Sequence, residues 1–397
     1  MAQFDPAAAT QAYLAVLSPE AHAKATAYTQ GGHWVLLWAA LVAVVVAWLV
    51  IKSGVLVKIR SWVEAKKSRP WLAAGLIVGA DVIIEGVLTL PWSAYADWWR
   101  QKSYGLTDQP FGGWLGETVS MMLISVVMTV ILGMCVYAVI RKAPKTWWAW
   151  SGGLVAIAFL VLMVLAPVFI EPLFNTYTPA PPGPVRDTVV TMANANGVPS
   201  DKIYVYNGSK QSNRYTANVS GLFGTARVAM SDTMFKQGAD LAEVKGVVGH
   251  EMGHYVHMHS IWLASSFGLL ALVLFFLVDR LFAPVARLVG ATGVTGISDP
   301  AGFPVIGIII AVLGLLATPI TSSISRLVET DADQFSLEHF NEPDGLAKAL
   351  VKTIEYRAAT PSQLEEVMFY DHPAVGSRVR RAMDWKAAHP PKSEPIY

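Results

Sequence analysis

The sequence predicts a mostly α-helical, polytopic membrane protein with about six transmembrane helices and one small α/β domain. Of its 397 residues, 53% are hydrophobic and only 15% are charged, whereas about a quarter of the residues in an average soluble domain are charged. The apolar residues are gathered into blocks of about 20, the length that crosses a bilayer as a helix. Between the fourth and fifth blocks lies a polar segment whose shorter patterns are typical of mixed helices and strands.

Six blocks are apolar and long enough to be transmembrane helices. Tryptophans mark many of their ends, as expected for aromatic side chains at the headgroup level. The first block follows a polar leader that lacks a short basic segment, so no cleavable signal is expected. The predicted spans are roughly Trp34–Ile51, Trp71–Trp92, Thr118–Ile140, Trp147–Ile170, Ser260–Val278 and Phe303–Ile324.

The polar segment opens with a proline-rich linker and is predicted to hold two helices and two strands. In chain order these are a helix at Val185–Ala195, a strand at Lys202–Tyr206, a strand at Thr225–Met230 and a helix from about Ala239 to His257. Beyond the last span, Arg326–Phe340 is predicted to be helical, and a polar helical tail follows it. The chain therefore divides into four N-terminal spans (1–170), a soluble segment (171–259), two further spans (260–325) and a C-terminal segment (326–397).

Charge and cysteine content exclude several classes of protein. The net charge is +1 and the basic residues form no stripe interleaved with aromatics, so nucleic acid is not an expected partner. The single cysteine, Cys135, lies in an apolar run, which excludes a disulfide framework and a thiolate metal site. The basic residues are concentrated in the loop between the first two spans and after the third. By the positive-inside rule these loops face the cytoplasm and the polar segment lies on the other side.

The most specific motif is His-Glu-Met-Gly-His at residues 250–254. His250 and His254 are four residues apart, so both imidazoles lie on one face of a helix and can reach one metal ion. Glu251 then lies beside the metal, where it can take a proton from bound water, which is the zincin arrangement of metal-assisted hydrolases. The position where a third histidine would stand in one zincin subgroup is Ser260, so the third ligand is expected elsewhere.

A catalytic zinc site takes three protein ligands and a water. Glu329 is the candidate third ligand, and Asp333 shares its helix face. Asp333 can accept the outward ring N–H of a ligating histidine and hold that ring in one tautomer. Asp331 points elsewhere and is expected to be solvated. His257 shares a face with the two histidine ligands, and it is interpreted as an outer-sphere or surface residue.

The chemistry predicted from these residues is peptide hydrolysis by a membrane-embedded zinc endopeptidase. Glu251 takes the water proton and later delivers it to the leaving amine. A further group must stabilise the oxyanion of the tetrahedral intermediate. The expected partners are a peptide or protein substrate and the lipid bilayer.

Together the motifs resemble the zinc-dependent CAAX prenyl endoproteases of the intramembrane type, which are gluzincins, and more loosely the bacterial membrane heat-shock metalloproteases. The likeness extends over about residues 10–385, and the zinc and acidic motifs are its most specific parts. The remaining motifs that carry it are Leu90-Pro91-Trp92-Ser93 with Tyr95, Ile170-Glu171-Pro172-Leu173-Phe174, Gly208-Ser209-Lys210 and His372-Pro373 with Arg378.

The resemblance implies zinc on His250, His254 and Glu329, with Glu251 as the base. It also implies transition-state or outer-sphere roles for His372 and Arg378.

The resemblance further implies that an edge strand near Tyr215–Gly221 receives substrate by β-augmentation. The expected substrate contacts are therefore Thr216, Ala217, Asn218 and Gly221. The family usually has asparagine followed by alanine in this strand. Here Thr216 precedes Ala217, so that side-chain amide is displaced or absent.

The family's fold implies a helical barrel around a water-filled chamber, with seven spans in the eukaryotic members against the six counted here. Asp81 and Glu85 lie inside the second span, where carboxylates normally face protein or water. They are explained either by a polar pair within a bundle or by a hydrated chamber. The family's catalytic domain faces the cytosol, opposite to the side obtained from the charge count. The composition points to a bacterial inner membrane.

Three functions remain as alternatives at the level of sequence. The first is a membrane-embedded zinc endopeptidase, whose substrate is either a C-terminal prenylated-type peptide or a damaged membrane protein. A site-2-type intramembrane protease would take a ligand from an Asp-Gly motif such as Asp344-Gly345, which here lies in a polar stretch. A transporter or chaperone with a structural zinc would need no base and normally four protein ligands, so Glu251 argues against it.

Overall fold

The computed structural model describes residues 4–221, 224–235 and 240–390. Within these residues, six helices are long and apolar enough to cross a membrane, which confirms the predicted number of spans. Most of them extend well beyond the predicted apolar blocks, whereas the fourth begins at the predicted residue. Their bounds are Pro19–Ser53, Pro70–Ser103, Phe111–Lys142, Trp147–Phe174, His259–Leu288 and Pro300–Phe340.

The first and sixth spanning helices run far outside the apolar blocks because strong end signals lie beyond those blocks. The hydroxyl of Ser18 accepts from the backbone of Ala21, and Pro19 occupies the first turn, where its missing N–H costs nothing. Gly54 ends the same helix in a left-handed conformation with φ 63°. The sixth helix continues to Phe340, so the predicted helix Arg326–Phe340 is its last part rather than a separate element.

The C-terminal tail was predicted only to be polar and helical, and in the structure it is helical and partly buried. It forms the helices Pro343–Lys352, Gln363–Phe369 and Val375–Ala388. Leu350, Val379 and Met383 are buried there in a core shared with the N-terminal helix Pro6–Leu14. Mixed composition concealed these apolar faces, because only one residue in three or four of a helix needs to point inward.

The soluble segment contains a four-stranded sheet in the order β1-β2-β4-β3. The strands are β1 (Tyr177–Pro179), β2 (Ile203–Tyr206), β3 (Ala217–Ser220) and β4 (Arg227–Ser231). β2 and β4 are parallel, whereas β3 pairs antiparallel with β4 and lies at the edge of the sheet. β2 and β4 match the two predicted strands, whereas β1 and β3 are too short for a period of two to show.

Two helices of the soluble segment complete its core. Pro184–Ala195 matches the predicted first helix, and Leu241–Val256 carries the two histidines. The predicted start of the second helix at Ala239 lies outside the described residues. Val244, Val248 and Met252 pack with Met230 of β4 and with Phe335 of the sixth spanning helix. One apolar core therefore joins the sheet, the histidine helix and the end of a spanning helix.

The loops rich in Lys and Arg and the soluble segment lie at opposite ends of the helical bundle. Arg60 in the first loop pairs with Asp299 and donates to the backbone carbonyl of Gly293, so that loop meets the connection between the last two spans. Inside the bundle, Asp81 and Glu85 each have a buried carboxylate oxygen without a hydrogen-bond partner among the described residues. Buried carboxylate oxygens without a partner are costly, so a hydrated interior would stabilise this pair.

Candidate metal centre and active site

Three side chains converge at the junction of the histidine helix and the sixth spanning helix. The Nε2 atoms of His250 and His254 are 3.1 Å apart. Oε2 of Glu329 is 3.3 Å from Nε2 of His250, and Oε1 is 3.5 Å from Nε2 of His254. Ligands that bind a tetrahedral zinc at about 2.0–2.1 Å are about 3.3 Å from each other. The three separations therefore match a tetrahedral ion with one position open.

The chemical state of these atoms also fits a metal. Oε2 of Glu329 is buried and has no hydrogen-bond partner among the described residues, although a buried carboxylate oxygen normally has one. Burial lowers the pKa of His254 to about 3, which keeps its ring neutral and its lone pair free. Burial alone also lowers the pKa of His250, but the adjacent carboxylates of Asp333 and Glu329 outweigh it and raise that pKa to about 10. A metal ion must therefore displace a proton from His250.

Glycines on the histidine helix bring the two helices close enough for this geometry. A Cβ added at Gly249 would lie 2.5 Å from Cδ2 of Phe340 and 2.8 Å from Oγ of Ser336. One added at Gly253 would lie 3.1 Å from the Cα of Ala332. Only glycine permits this separation, and Glu329 reaches both imidazoles because the helix axes are so near.

A buried charged network holds His250 in place. Nδ1 of His250 donates to Oδ1 of Asp333 over 3.0 Å. Arg378 donates to both oxygens of the same carboxylate, from Nε over 2.8 Å and from Nη2 over 2.7 Å. Each of these three residues is less than 10% exposed. Burial alone would lower the pKa of Arg378, but the adjacent carboxylates outweigh it and raise that pKa. Asp333 thus contacts the outward ring nitrogen of His250, as expected from the sequence, and Arg378 binds the same carboxylate.

Glu251 points to the edge strand β3 rather than to the sixth spanning helix, which carries Glu329. Burial raises the pKa of its carboxyl to about 7, against a lowering effect from the backbone N–H of Val219 in β3. The glutamate therefore lies between the cluster of His250, His254 and Glu329 and the strand expected to hold substrate. A carboxyl whose pKa is near neutrality is suited to both accepting and returning a proton.

His372 reaches the cluster from the C-terminal segment. Its Nε2 is 3.2 Å from Oε2 of Glu329, and its Nδ1 is 2.8 Å from Oδ1 of Asp371. The guanidinium of Arg357 lies against the ring, with Nη2 3.3 Å from Nδ1. Arg357 was missed in the sequence because it stands in no motif, and only folding of the tail brings it to His372.

A small cavity of about 130 Å³ adjoins the cluster, and the edge strand β3 forms part of its wall. Thr216 and Ala217 line it, together with His250, Glu329, Glu251, His372 and Arg378. Asn218 is not among its lining residues and lies opposite Ala229 in the sheet. Gly221 has φ 93°, and a Cβ there would be 2.5 Å from the carbonyl oxygen of Thr225, which indicates a role in the turn. Of the four expected contacts, the structure thus brings two to the cavity.

Other acidic and histidine residues lie outside this cluster. Asp344 pairs with Lys386 at 2.6 Å and accepts a hydrogen bond from the hydroxyl of Tyr13 at 2.7 Å, at the partly exposed surface of the tail. Asp331 is about half exposed, as predicted, but it contacts His257 and His259 instead of being free in solvent.

Comparisons with known proteins connect both halves of the chain to one group. A model of peptidase family M48 matches residues 179–391, and a model described as CAAX prenyl protease N-terminal, five membrane helices, matches residues 6–176. Four of the six spanning helices lie in that N-terminal range.

Two relatives are similar over most of their length. An uncharacterized metalloprotease, YhfN of Bacillus subtilis, is 28% identical over 343 residues, which are 84% of this chain and 79% of that protein. A CAAX prenyl protease 1 homolog of Arabidopsis thaliana is 27% identical over 312 residues, covering 75% of this chain and 72% of the relative.

Among solved structures, the crystal structure of S. mikatae Ste24p superposes with a TM-score of 0.76 at 22% identity. It covers 93% of this chain and 89% of that one. This likeness confirms the predicted fold class, a helical membrane protein with a small α/β domain.

Proposed function

Because the chain belongs to peptidase family M48 and is an integral, multi-pass membrane metalloendopeptidase, we propose that the cluster of His250, His254 and Glu329 is its catalytic centre and that zinc is the bound ion. The separations of 3.1–3.5 Å between the three ligand atoms carry this proposal. Two imidazoles and one carboxylate with one position open are the ligand set of a catalytic rather than a structural zinc. The catalytic unit then combines the soluble segment 171–259 with the C-terminal segment from 326.

Held by these three side chains, zinc would supply a water of lowered pKa and would polarise the scissile carbonyl. Glu251 accepts the proton of that water, since its carboxylate lies beside the ligands and is kept basic by burial. The same carboxyl then donates the proton to the departing amine. The N–H of Val219, which holds the carboxylate, fixes it next to the edge strand.

His372 and Arg378 take different roles. His372 is partly exposed and lines the cavity beside Glu329, so its ring can donate to the oxyanion of the tetrahedral intermediate. Arg378 is buried, and its Nε and Nη2 groups donate hydrogen bonds to Asp333. It is therefore a positioning residue that keeps Asp333 charged and His250 in one tautomer.

The substrate is an extended peptide added to the free edge of β3. Thr216 and Ala217 line the cavity next to Glu251, and an exposed strand edge offers backbone N–H and C=O groups to a peptide of any sequence. The side chain of Thr216 cannot supply the two donors of an asparagine amide, so backbone pairing carries more of the binding here.

The class of substrate is a peptide near the C-terminus of a membrane-bound, prenylated-type protein, in the cytoplasmic membrane of a bacterium. Curated relatives named CAAX prenyl protease 1 support this class, and the Bacillus subtilis relative supports the bacterial setting. The histidine helix ends at Val256, and a spanning helix begins at His259. A peptide bond near a membrane anchor therefore reaches the cluster without leaving the interface.

The proposal is tested on purified full-length protein by metal analysis and peptide cleavage. Glu251→Gln should retain one zinc per chain and lose cleavage, and Glu329→Gln should lose zinc, while the matched control Asp344→Asn should keep both. Equal cleavage by wild type and Glu251→Gln, or zinc loss in Asp344→Asn, would contradict the assignment. Comparison of one peptide with and without a farnesyl group, and of an unfolded membrane protein, decides the substrate. A preference for the unfolded protein would replace the prenylated class with damaged membrane proteins.

A further inference from the structure

A second group of metal-binding side chains lies beside the first. The candidate ligand atoms of His257, His259 and Asp331 all lie within 4.8 Å of one another. Nε2 of His259 is 2.9 Å from Oδ2 of Asp331, and Nδ1 of His257 contacts the same oxygen. The side chains of His257 and Asp331 are 39% and 49% exposed. An ion in solution can therefore reach them without passing through the catalytic cavity.

The fold places these residues together through a sharp turn. The histidine helix ends at Val256, and Met258 adopts a left-handed conformation with φ 53°, which is costly for a side chain of this size. The turn leaves His257 and His259 on the same side, facing Asp331 on the sixth spanning helix. The same helix packing that brings Glu329 to the catalytic histidines thus brings Asp331, two residues later, to this pair.

The second group contacts the catalytic centre directly. Nδ1 of His259 is 2.9 Å from Nδ1 of His254. When His254 binds a metal through Nε2, its one ring proton is on Nδ1 and must be donated to His259. His259 then accepts at Nδ1, so its own proton is on Nε2 and is donated to Asp331. The hydrogen bonds run from the catalytic ligand through His259 to the carboxylate.

We propose that His257, His259 and Asp331 form a second site for a divalent transition-metal ion, and that filling it inhibits the peptidase. Two imidazoles and a carboxylate are the donor set that suits Zn²⁺ and related ions. The site is more exposed than the catalytic one, and no buried network like that of Asp333 and Arg378 supports it among the described residues. It therefore binds more weakly and fills only at higher free zinc.

Inhibition follows from where the protons must be. An ion bound to Nε2 of His259 excludes the proton from that atom, and the neutral ring then carries its single proton on Nδ1. Two N–H groups, on His254 and His259, would face each other across 2.9 Å. One ring must turn away, and His254 loses the hydrogen bond that orients it. Loss of such an outer-sphere bond typically costs 10–100-fold in metal affinity or activity.

The test uses full-length protein in detergent, dialysed against buffers of fixed free Zn²⁺, and measures zinc per chain by elemental analysis and peptide cleavage in parallel. Wild type should hold one zinc at low free Zn²⁺ and two at high free Zn²⁺, with roughly tenfold less cleavage in the two-zinc form. His257→Gln should stay at one zinc and keep its activity throughout. The matched control His389→Gln removes another exposed histidine and should behave as wild type.

A wild type that never exceeds one zinc, or a His257→Gln variant that still binds two, overturns the second site. Two zincs in wild type without loss of activity overturn the coupling through His259. The activity arm rests on the proposed peptidase function, whereas the stoichiometry does not. A chain that cleaves no peptide but binds a second zinc through His257 would therefore contradict the function and leave the site standing.

Discussion

The close approach of the two metal-binding helices can be tested by substituting Gly249 with alanine. The new Cβ would lie 2.5 Å from Cδ2 of Phe340 and 2.8 Å from Oγ of Ser336. Carbon atoms pack at about 3.5–4.0 Å, so the helices must separate by about 1 Å at this level. Metal–ligand distances tolerate only about 0.2 Å. Since Glu329 lies on one helix and the two histidines on the other, moving the helices apart would lengthen the distances between the three ligand atoms.

We therefore expect Gly249→Ala to weaken zinc binding by at least tenfold and to destabilise the fold by about 1–3 kcal/mol, the usual cost of overpacking. Zinc affinity is measured by competition with a chelator, and stability is measured by thermal unfolding in detergent. Gly314→Ala is the matched control, because it lies on the same helix as Glu329 with no atom within 4 Å of the added Cβ.

A double variant separates the clash from any other effect of the methyl group. Phe340→Ala removes the ring that the new Cβ would meet, so Gly249→Ala with Phe340→Ala should bind zinc more tightly than Gly249→Ala alone. Such non-additivity is expected only for side chains in contact. Zinc affinity of Gly249→Ala within twofold of wild type, or purely additive effects in the double variant, would refute the reasoning.

Three further predictions concern the charges of the site and its side of the membrane. Asp333→Asn leaves the guanidinium of Arg378 without its carboxylate, and we expect a 10–100-fold loss of zinc affinity; an unchanged affinity would show that the network does not hold the ligand. Because the pKa of His250 in the metal-free protein is raised to about 10, zinc competes with a proton there, so affinity should rise as pH increases toward 10 and one proton should be released per zinc at pH 7. Calorimetry in buffers of different ionisation enthalpy measures this release, and none at pH 7 contradicts it. The positive-inside rule predicts that, in a Cys135→Ser background, an impermeant thiol reagent labels Lys102→Cys in intact cells and Lys67→Cys only after permeabilisation; the reverse pattern supports the cytosolic catalytic side that the resemblance implies.

Local patterns were sufficient for the spans and for the histidine motif. Runs such as Trp147–Ile170 favour a spanning helix over a buried soluble one in a chain of this composition, since about 20 apolar residues are the length that crosses a bilayer. His250 and His254 could be paired because both stand on one helix with a known repeat. The strand β3 was expected only through resemblance, because four residues are too few to display a period.

Contacts between distant segments could not be read in the same way. Arg357 lies 15 residues from His372 in the chain, and nothing in its local sequence marks it as part of the site. The tail was predicted only to be polar and helical. Its apolar faces become meaningful only when Pro6–Leu14 is seen to pack against them.

The sequence by itself therefore determined the membrane class, the hydrolytic motif and the acidic residues able to complete it, because these depend on residue type at short, fixed spacing. Tertiary structure decided which atoms meet. It placed Glu329 at 3.3 Å from His250 across helices that only glycine lets approach. It placed Arg378 within hydrogen-bonding distance of Asp333. It also connected His254 to Asp331 through hydrogen bonds of His259. These pairings depend on how two helices pack, which is set by the volume and shape of all the side chains between them and not by the spacing of residues along either one.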